Sequence, residues 1–235
     1  MIFIKLLLAH LLGDFLLQPN SWVADKEQRK HRSIYLYLHT LLHGALAWAI
    51  VGNTDFGWYA LLLALSHGMI DLAKLHFQNI GTKRMWFLID QFLHLIVLVA
   101  ITLLYNDTYF NIASIPERYW IIVTAVLLLT SPVSILIKTV ISIWTPNQND
   151  TKEDLQNAGK YIGILERLFV LCFIIAGQFS AIGFLMAAKS IFRFGDLTQA
   201  KDRKLTEYVL IGTLLSFGIA ILTGLLTKYL LGQVS

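Results

Sequence analysis

Long apolar runs separated by short polar stretches make up most of the chain. They form seven segments, at residues 2–18, 33–52, 57–75, 86–105, 118–143, 161–188 and 206–231. Each run is close to the roughly 20 residues that an α-helix needs to cross a bilayer. Pro19 ends the first segment, and Gly52 with Asn53 separates the second from the third. The pattern predicts an all-α, polytopic transmembrane helical bundle.

The chain divides into three parts around a polar, acidic stretch at 144–160. The predicted parts are a four-helix domain at 1–105, a connecting segment at 106–160 and a C-terminal two-helix membrane region at 161–235. Ser131 and Pro132 interrupt the middle of segment 118–143. Because proline lacks a backbone donor, this segment is either a re-entrant pair of short helices or a kinked span.

Positive charges in the connecting loops predict the orientation of the helices. The loop at 19–32 holds four lysines and arginines, and the loop at 76–85 holds two more. Loops rich in Lys and Arg face the cytoplasm, so the N-terminus is expected outside. A re-entrant segment 118–143 would place the basic loop at 189–205 in the cytoplasm as well.

Composition agrees with membrane embedding. Only 14% of the residues are charged, 56% are hydrophobic and the mean hydropathy is +0.62, whereas soluble domains carry about 25% charged residues. The net charge of +4 is attributed to cytoplasmic loops that meet anionic lipid. No basic stretch outside the apolar segments is interleaved with aromatic residues. The expected partner is therefore the lipid bilayer, and nucleic acid is excluded.

The first four apolar segments each carry a pair of polar residues spaced four apart, which places both on one helix face. The pairs are His10 with Asp14, His39 with His43, His67 with Asp71, and Asp90 with His94. Histidine and aspartate are rare and costly inside a bilayer. Their recurrence on four consecutive segments therefore indicates one shared polar site.

The order of these motifs agrees with antiparallel helices around that site. Counted from the basic-loop end of each segment, the aspartates lie about four residues in, roughly 6 Å, and most of the histidines about eight in, roughly 12 Å. Histidine precedes aspartate in the first and third segments and follows it in the fourth. Residues 8–14 also align with 65–71, so the first four helices are predicted to form a pseudo-two-fold four-helix bundle.

Imidazole and carboxylate at one site indicate a divalent metal ion. Neutral histidine with aspartate suits Zn²⁺ first, with Mn²⁺ or Fe²⁺ as alternatives. Without an ion, three buried carboxylates would repel one another, so one or two ions are expected. All eight residues are candidate ligands, and the carboxylates are also the candidate catalytic groups: Asp14, Asp71 and Asp90.

Two other interpretations of the same residues stay open. One is a metal-free pathway for protons or ions. The other is helix–helix hydrogen bonding alone, which in membranes is worth only about 0.6 kcal/mol per bond. Haem ligation by His43 and His94 is conceivable, but it would leave the aspartates unexplained.

Basic residues near the helix ends are candidates for binding an anionic head group. They are Lys74 and Lys83 near the mouth of the expected site, and Lys189, Arg193 and Arg203 in the second half. The alternative is that the charges of the second half, Glu166 and Arg167 among them, flank the spans and snorkel to the interface.

Two stretches, AHLLGDFLLQ at 9–18 and LHTLLH at 38–43, resemble the bacterial membrane family known as domain-of-unknown-function family 3307. The pair His67 and Asp71 fits the same resemblance, which covers roughly residues 1–105. The family implies no activity, and its bacterial membership implies the inner membrane as the location.

Two further resemblances concern the C-terminal half of the chain and the His/Asp motifs. The stretches 163–167 and 188–193 resemble the C-terminal extension of longer family members. The His/Asp motifs are also similar, more loosely, to proteins labelled membrane-bound metal-dependent hydrolases. That likeness implies a hydrolytic activity by fold-level analogy only.

Three hypotheses of function follow. The first is a membrane-embedded metal-dependent hydrolase of a lipid or lipid-linked ester or phosphoester, in which an ion near the cytoplasmic face activates water. The second is a transporter or channel for a divalent cation or protons, with the same residues as a transit site. The third is a regulatory membrane protein with a structural metal, which fits a closed coordination shell.

Overall fold

The computed structural model describes residues 1–105, 116–144, 153–197 and 203–234, with side chains described there except at 144, 153–158, 192–197 and 203–206. The α-helices are α1 (Ile2–Phe15), α2 (Asn20–Arg29), α3 (Ile34–Val51), α4 (Gly57–Phe77), α5 (Lys83–Leu104), α6 (Glu117–Leu129), α7 (Ser131–Ile141), α8 (Glu153–Ile175), α9 (Phe179–Leu197) and α10 (Arg203–Gln233). No strand occurs within these ranges. The prediction of an all-α bundle is confirmed.

Several helical stretches are long and apolar enough to cross a membrane. Within the described ranges there are five: Ile34–Val51, Thr54–Phe77, Lys83–Leu104, Glu117–Ile141 and Glu207–Gln233. A sixth is present if Ile2–Phe15 and Asn20–Arg32, which meet at an angle of 79°, together make one broken span. This architecture is compatible with a multi-pass membrane protein.

The first of two compact units, Met1–Trp120, is a four-helix bundle closed by α1, α3, α4 and α5. α1 packs on α3 and α5, and α4 packs on the same two helices, so the two helices with His-x-x-x-Asp lie at opposite corners. An apolar core fills one half of this bundle. It contains Leu6, Ala9, Ala47, Val51, Phe56, Ala60, Leu63, Leu98, Ile101 and Tyr105. These residues come from the starts of α1 and α4 and the ends of α3 and α5, which leaves the opposite half to the polar motifs.

Two glycines next to the motif residues permit close helix contacts in the polar half. A Cβ at Gly13 would overlap the imidazole of His43, and a Cβ at Gly68 would lie 2.6 Å from Thr40 Oγ1. Glycine therefore lets α1 and α4 approach α3 closely, as small residues do in membrane bundles. The histidines of α3 are thereby brought within reach of both neighbouring helices.

The second unit, Ile121–Ser235, is built around an apolar core. This core contains Ala125, Leu129, Val133, Ile137, Ile141, Val170, Leu171, Ile174, Ile182, Phe217 and Ala220. α10 packs on α7 and α8, and α8 also packs on α9. In a bilayer, close packing of such side chains between helices contributes to stability without the removal of apolar surface from water.

Two breaks divide the apolar segments of the second half. α6 ends before Thr130, yet residues Glu117–Ile141 still count as one candidate span of 25 residues. Of the two alternatives for 118–143, the kinked span therefore describes the structure. The predicted single segment 161–188 is instead two helices, because Gly177 between them adopts a left-handed φ of 74°, a conformation that favours glycine.

A buried arginine caps the first of these breaks. Arg167 Nε donates to the carbonyl of Leu129 at 2.7 Å, and Nη2 donates to the carbonyl of Thr130 at 3.2 Å. The guanidinium also donates to Ser134 Oγ at 2.6 Å and to Ser216 Oγ at 3.2 Å. A helix end leaves carbonyls without helical donors, and Arg167 supplies a donor to the carbonyl of Leu129. The carbonyl of Thr130 also accepts from Ser134 N at 3.2 Å and from Ser134 Oγ at 2.8 Å. The interpretation of Arg167 as a charge that snorkels to the interface is therefore wrong, since only 3% of the residue is exposed.

Candidate metal centre

All eight histidine and aspartate residues of the four motifs lie in the polar half of the first unit. Seven are buried, and Asp14 keeps 11% of its side chain exposed. Their ligand atoms fall into three groups within which all atoms lie within 4.8 Å of one another. The groups are His10, Asp14, His43 and His67; His39, His67 and Asp71; and Asp14, Asp90 and His94. Because the groups share Asp14 and His67, they form one continuous His/Asp cluster.

Asp14 is the common acceptor of the cluster. Its Oδ1 lies 3.0, 3.1 and 3.5 Å from the Nε2 atoms of His43, His39 and His67, respectively. Asp14 stands in the last turn of α1, while the three histidines come from α3 and α4. One carboxylate oxygen thus gathers imidazole nitrogens from two other helices, an arrangement that could hold a metal ion.

The spacing of these atoms matches the coordination shell of a small divalent ion. His39 Nε2 lies 3.1 Å from His67 Nε2, and with Asp14 Oδ1 these atoms form a triangle with sides of 3.1, 3.1 and 3.5 Å. Ligands bound about 2.0–2.1 Å from a tetrahedral Zn²⁺ lie about 3.3 Å from one another. A direct hydrogen bond between the two imidazoles would use the lone pair of only one Nε2 atom. A metal ion binds the lone pairs of both Nε2 atoms.

Two lysines compensate the charge of the other two carboxylates. Lys26 Nζ lies 2.7 Å from Asp71 Oδ2, and Lys74 Nζ lies 2.9 Å from Asp90 Oδ2. Three carboxylates and two ammonium groups leave one negative charge in the cluster. One divalent ion would leave the cluster with a single positive charge, whereas two ions would leave a large excess of buried positive charge. The charges therefore favour one ion.

Two members of the site carry no metal-site signal in the sequence. Gln91 Nε2 donates to Asp14 Oδ2 at 3.0 Å and to Asp90 Oδ2 at 3.2 Å. Gln91 Oε1 lies 3.3 Å from His10 Nε2, and since an amide oxygen only accepts, His10 must donate this hydrogen bond. His10 thus positions Gln91 through Nε2. Lys26 is the second such residue, because the sequence does not distinguish it from the other basic residues of its loop.

Part of the cluster has binding capacity that the protein does not use. Both ring nitrogens of His94 and Oδ1 of Asp90 are buried without a hydrogen-bond partner in the part of the chain that the structure describes. Leaving such an atom unpaired costs roughly 1–3 kcal/mol, and a bound ion or water is a common reason for it. These atoms border Asp14, so the unsatisfied side of the cluster adjoins its centre.

The lysines expected to bind a head group each contact a carboxylate. The pairs are Lys74 with Asp90, Lys83 with Glu27, and Lys189 with Glu166. Each lysine would have to leave its partner before binding an anion. The side chains of the other two candidates, Arg193 and Arg203, lie outside the described residues.

One comparison with known proteins finds a match. The family described as Protein of unknown function (DUF3307) matches residues 2–123, which is more than half of the 235 residues. The resemblance seen in the sequence motifs is thereby confirmed. No curated protein and no solved structure matches the chain. The matched region contains the whole His/Asp cluster, whereas α8, α9 and α10 lie beyond it.

Proposed function

The chain belongs to the DUF3307 family, and we propose that it is a membrane-embedded, metal-dependent hydrolase of a lipid or lipid-linked ester or phosphoester. The observation that carries this proposal is the convergence of three imidazole nitrogens on the partly exposed carboxylate of Asp14. The cluster occupies the half of the bundle next to the basic loops, where water and lipid head groups would meet. We place the protein in the bacterial inner membrane, with these loops in the cytoplasm and the N-terminus outside.

One divalent transition-metal ion fits the donor set. Asp14 Oδ1, His39 Nε2 and His67 Nε2 form a triangle of ligand atoms that would leave the fourth tetrahedral position open, and His43 Nε2 contacts the same oxygen of Asp14. Nitrogen and carboxylate oxygen donors suit Zn²⁺, with Mn²⁺ or Fe²⁺ as alternatives. Such an ion, when bound, polarises an ester or phosphoryl oxygen and makes water more acidic.

The protein's own groups around the ion would have separate tasks. His94 and Asp90 Oδ1 lack hydrogen-bond partners among the described residues, so either can accept a proton from an attacking water molecule. Gln91 holds the carboxylates of Asp14 and Asp90 in place through two hydrogen bonds. Burial of the cluster limits the access of bulk water, which strengthens each of these electrostatic interactions.

Metal content tests the proposal. We expect the purified full-length protein to carry about one transition-metal ion per chain, because the charges favour a single ion. Asp14→Asn and His67→Ala should each lose most of it. His76→Ala is the matched control, since it removes a histidine of the same helix outside the cluster. A wild-type protein that holds no stoichiometric metal after incubation with Zn²⁺, Mn²⁺ and Fe²⁺ would overturn the metal site and the hydrolase together.

The coordination shell separates a catalytic ion from a structural one. Four protein ligands would close a tetrahedral shell, whereas a catalytic site keeps an open position. We expect the visible spectrum of the Co²⁺-substituted protein to change when azide is added, and the protein to hydrolyse p-nitrophenyl esters or bis(p-nitrophenyl) phosphate. An unchanged spectrum without hydrolysis would support the structural-metal hypothesis instead.

A divalent-cation or proton transporter is the second candidate, and the two buried ion pairs favour it. Lys26–Asp71 and Lys74–Asp90 flank the cluster, and ionisable residues within membrane bundles often mark ion pathways. A transit site should release its ion readily and be reached from both sides. Uptake of Zn²⁺ into liposomes that depends on Asp14, combined with loss of the metal on dialysis, would favour transport over hydrolysis.

A further inference from the structure

A surface cavity of about 670 Å³, open to solvent and lined mostly by exposed side chains, lies in the first unit outside the His/Asp cluster. It is lined by Gln28, Arg29, Lys30, His31, Arg32 and His76. The first five follow one another at the end of α2 and in the turn after it, and the sixth comes from the last turn of α4. We call it the basic cavity, because its lining contains three permanently positive side chains, two imidazoles and no carboxylate.

The positive charge of this cavity is only partly compensated. Asp25 Oδ1 lies 3.1 Å from Arg29 Nε, and the other carboxylate of α2, Glu27, pairs with Lys83. Neither Lys30 nor Arg32 forms an ion pair with a carboxylate of the described residues. The cavity thus keeps about two unmatched positive charges, which attract an anion when they line a concave site.

The turn that carries these charges is held by specific contacts. Ser33 Oγ donates to Asp25 Oδ2 at 2.5 Å, and Tyr37 Oη donates to the carbonyl of His31 at 2.9 Å. Lys30 adopts a φ of 50° and a ψ of −123°, a conformation that L-residues rarely adopt. Backbone strain of this kind persists where the surroundings impose it, and it clusters at binding sites.

Two imidazoles join the turn to α4. The rings of His31 and His76 stack with their centroids 5.8 Å apart and their planes at 21°. His76 Nδ1 donates to the carbonyl of Leu72 at 3.0 Å, which leaves Nε2 as the nitrogen that can donate to an anion when the ring is protonated. The cavity is therefore assembled from two separate segments of the chain and is not merely a run of basic residues in a loop.

The basic cavity shares α4 with the His/Asp cluster. His76 follows Asp71 by five residues on α4, which is about 7.5 Å along the helix axis. Lys30 comes one helical turn after Lys26, whose ammonium contacts Asp71. The two sites are thus separated by roughly one and a half helical turns along α4.

We propose that the basic cavity binds a phosphate group, carried by a lipid head group or present as free phosphate. Arginine presents paired donors that match phosphate oxygens, and lysine adds a point charge. Three cations and two imidazoles can serve three or four oxygen atoms, which is more than a carboxylate offers. The role of the cavity as a head-group site for the hydrolase rests on the proposed function, whereas the binding of phosphate itself does not.

Calorimetric titration of the full-length protein tests this proposal. The protein is held in dodecyl maltoside micelles, which carry no phosphate, in the Asp14→Asn background, so that the result does not depend on the metal or on catalysis. One arm uses dihexanoyl phosphatidic acid and the other uses inorganic phosphate. We expect saturable binding in at least one arm, and a much tighter binding of the lipid would identify a head group as the source.

Paired variants locate the binding site. Lys30→Gly removes a charge and relieves the strained backbone, so the variant should fold at least as well as the parent. Combined with Arg32→Gln, it should lower the affinity about tenfold for each charge removed. Arg84→Gln is the control, because it removes a basic residue of the first turn of α5 that does not line the cavity.

Three outcomes would overturn the proposal. They are the absence of binding in both arms, an equal loss of affinity in the control, and no change in the Lys30→Gly, Arg32→Gln variant. Phosphate binding in a protein that holds no metal would support the cavity and refute the hydrolase. A metal-loaded, active protein that does not bind phosphate would support the hydrolase and refute the cavity as a phosphate site.

Discussion

The two units of the chain both bury polar side chains among apolar helices, but they satisfy them differently. In the second unit, Arg167 donates to two carbonyls and two hydroxyls. In the first unit, Asp14 gathers three imidazole nitrogens, and the nitrogens of His94 have no partner among the described residues. The buried guanidinium finds its hydrogen-bond partners within the protein, whereas the His/Asp cluster keeps polar atoms without partners among the described residues.

This difference separates a structural role from a binding role. A buried charge that uses its donors on neighbouring backbone stabilises the local fold and needs nothing else. A buried cluster with unpaired atoms loses stability unless a ligand completes it. The same residue types, placed in similarly apolar surroundings, thus point to a helix cap in one unit and to a site in the other.

The largest expected effect comes from removing the internal cap. Arg167→Leu should destabilise the protein by about 4 kcal/mol, since the Leu129 carbonyl left without its donor costs roughly 1–3 kcal/mol and the three other hydrogen bonds of the guanidinium contribute about 0.5–1.5 kcal/mol each. Unfolding in mixed micelles, followed by circular dichroism, measures the loss. It should be equal with and without Zn²⁺, and Lys138→Leu, at an exposed position of α7, should have little effect. A loss that disappears on adding metal would contradict the structural role of Arg167.

The next effect concerns the stability that metal provides. At a Zn²⁺ concentration 100 times the dissociation constant, binding should raise the free energy of unfolding by about 2.7 kcal/mol. Asp14→Asn should abolish this increase, whereas Arg167→Leu should keep it. The thermal shift on adding Zn²⁺, and its reversal by a chelator, measure the difference. An equal shift in Asp14→Asn would place the ion elsewhere.

A smaller effect is expected from filling the contact between α1 and α3. Gly13→Ala would push a methyl group into the imidazole of His43, and such overpacking costs about 1–3 kcal/mol. It should also weaken metal binding, because His43 must move. Gly57→Ala is the control, since a Cβ there meets nothing within 4 Å. Equal metal affinity in Gly13→Ala and the wild type would show that the close contact does not position His43.

The smallest expected effect has the opposite sign. His94→Leu replaces an imidazole whose nitrogens make no hydrogen bond among the described residues, so the metal-free protein should gain about 1 kcal/mol of stability. Hydrolysis should fall at the same time, because a proton acceptor is lost. Chemical denaturation of the metal-free protein provides the measurement. A clear loss of stability would show that His94 contributes to packing in the absence of a ligand.

The His/Asp cluster could be recognised early because its pattern is local. Residues spaced four apart share a helix face whatever the rest of the chain does, and long apolar runs keep the helices antiparallel across the membrane. His10 with Asp14 and Asp90 with His94 therefore had to lie at similar depths. The reversed order of the motifs was enough to predict a common site.

Other parts of the site depend on residues that carry no pattern. Lys26 resembles its basic neighbours in sequence, yet it is buried against Asp71. His31 and His76 belong to no motif in the sequence, and only the structure brings their rings together at the basic cavity. Arg167 reads as a flanking charge, yet it caps a helix end. In each case the partner lies far away in the chain, so local spacing holds no information about it.

The length of the apolar runs and the four-residue spacing of the polar pairs by themselves determined that this protein is a bundle of apolar helices and which helix faces carry the imidazoles and carboxylates. Tertiary structure alone decided that Asp14 is the centre of the cluster, that two lysines compensate its neighbours, and that a glycine contact seats His43. The reason is physical: helix formation and membrane insertion depend on local composition, whereas charge pairing and close packing depend on which helices become neighbours.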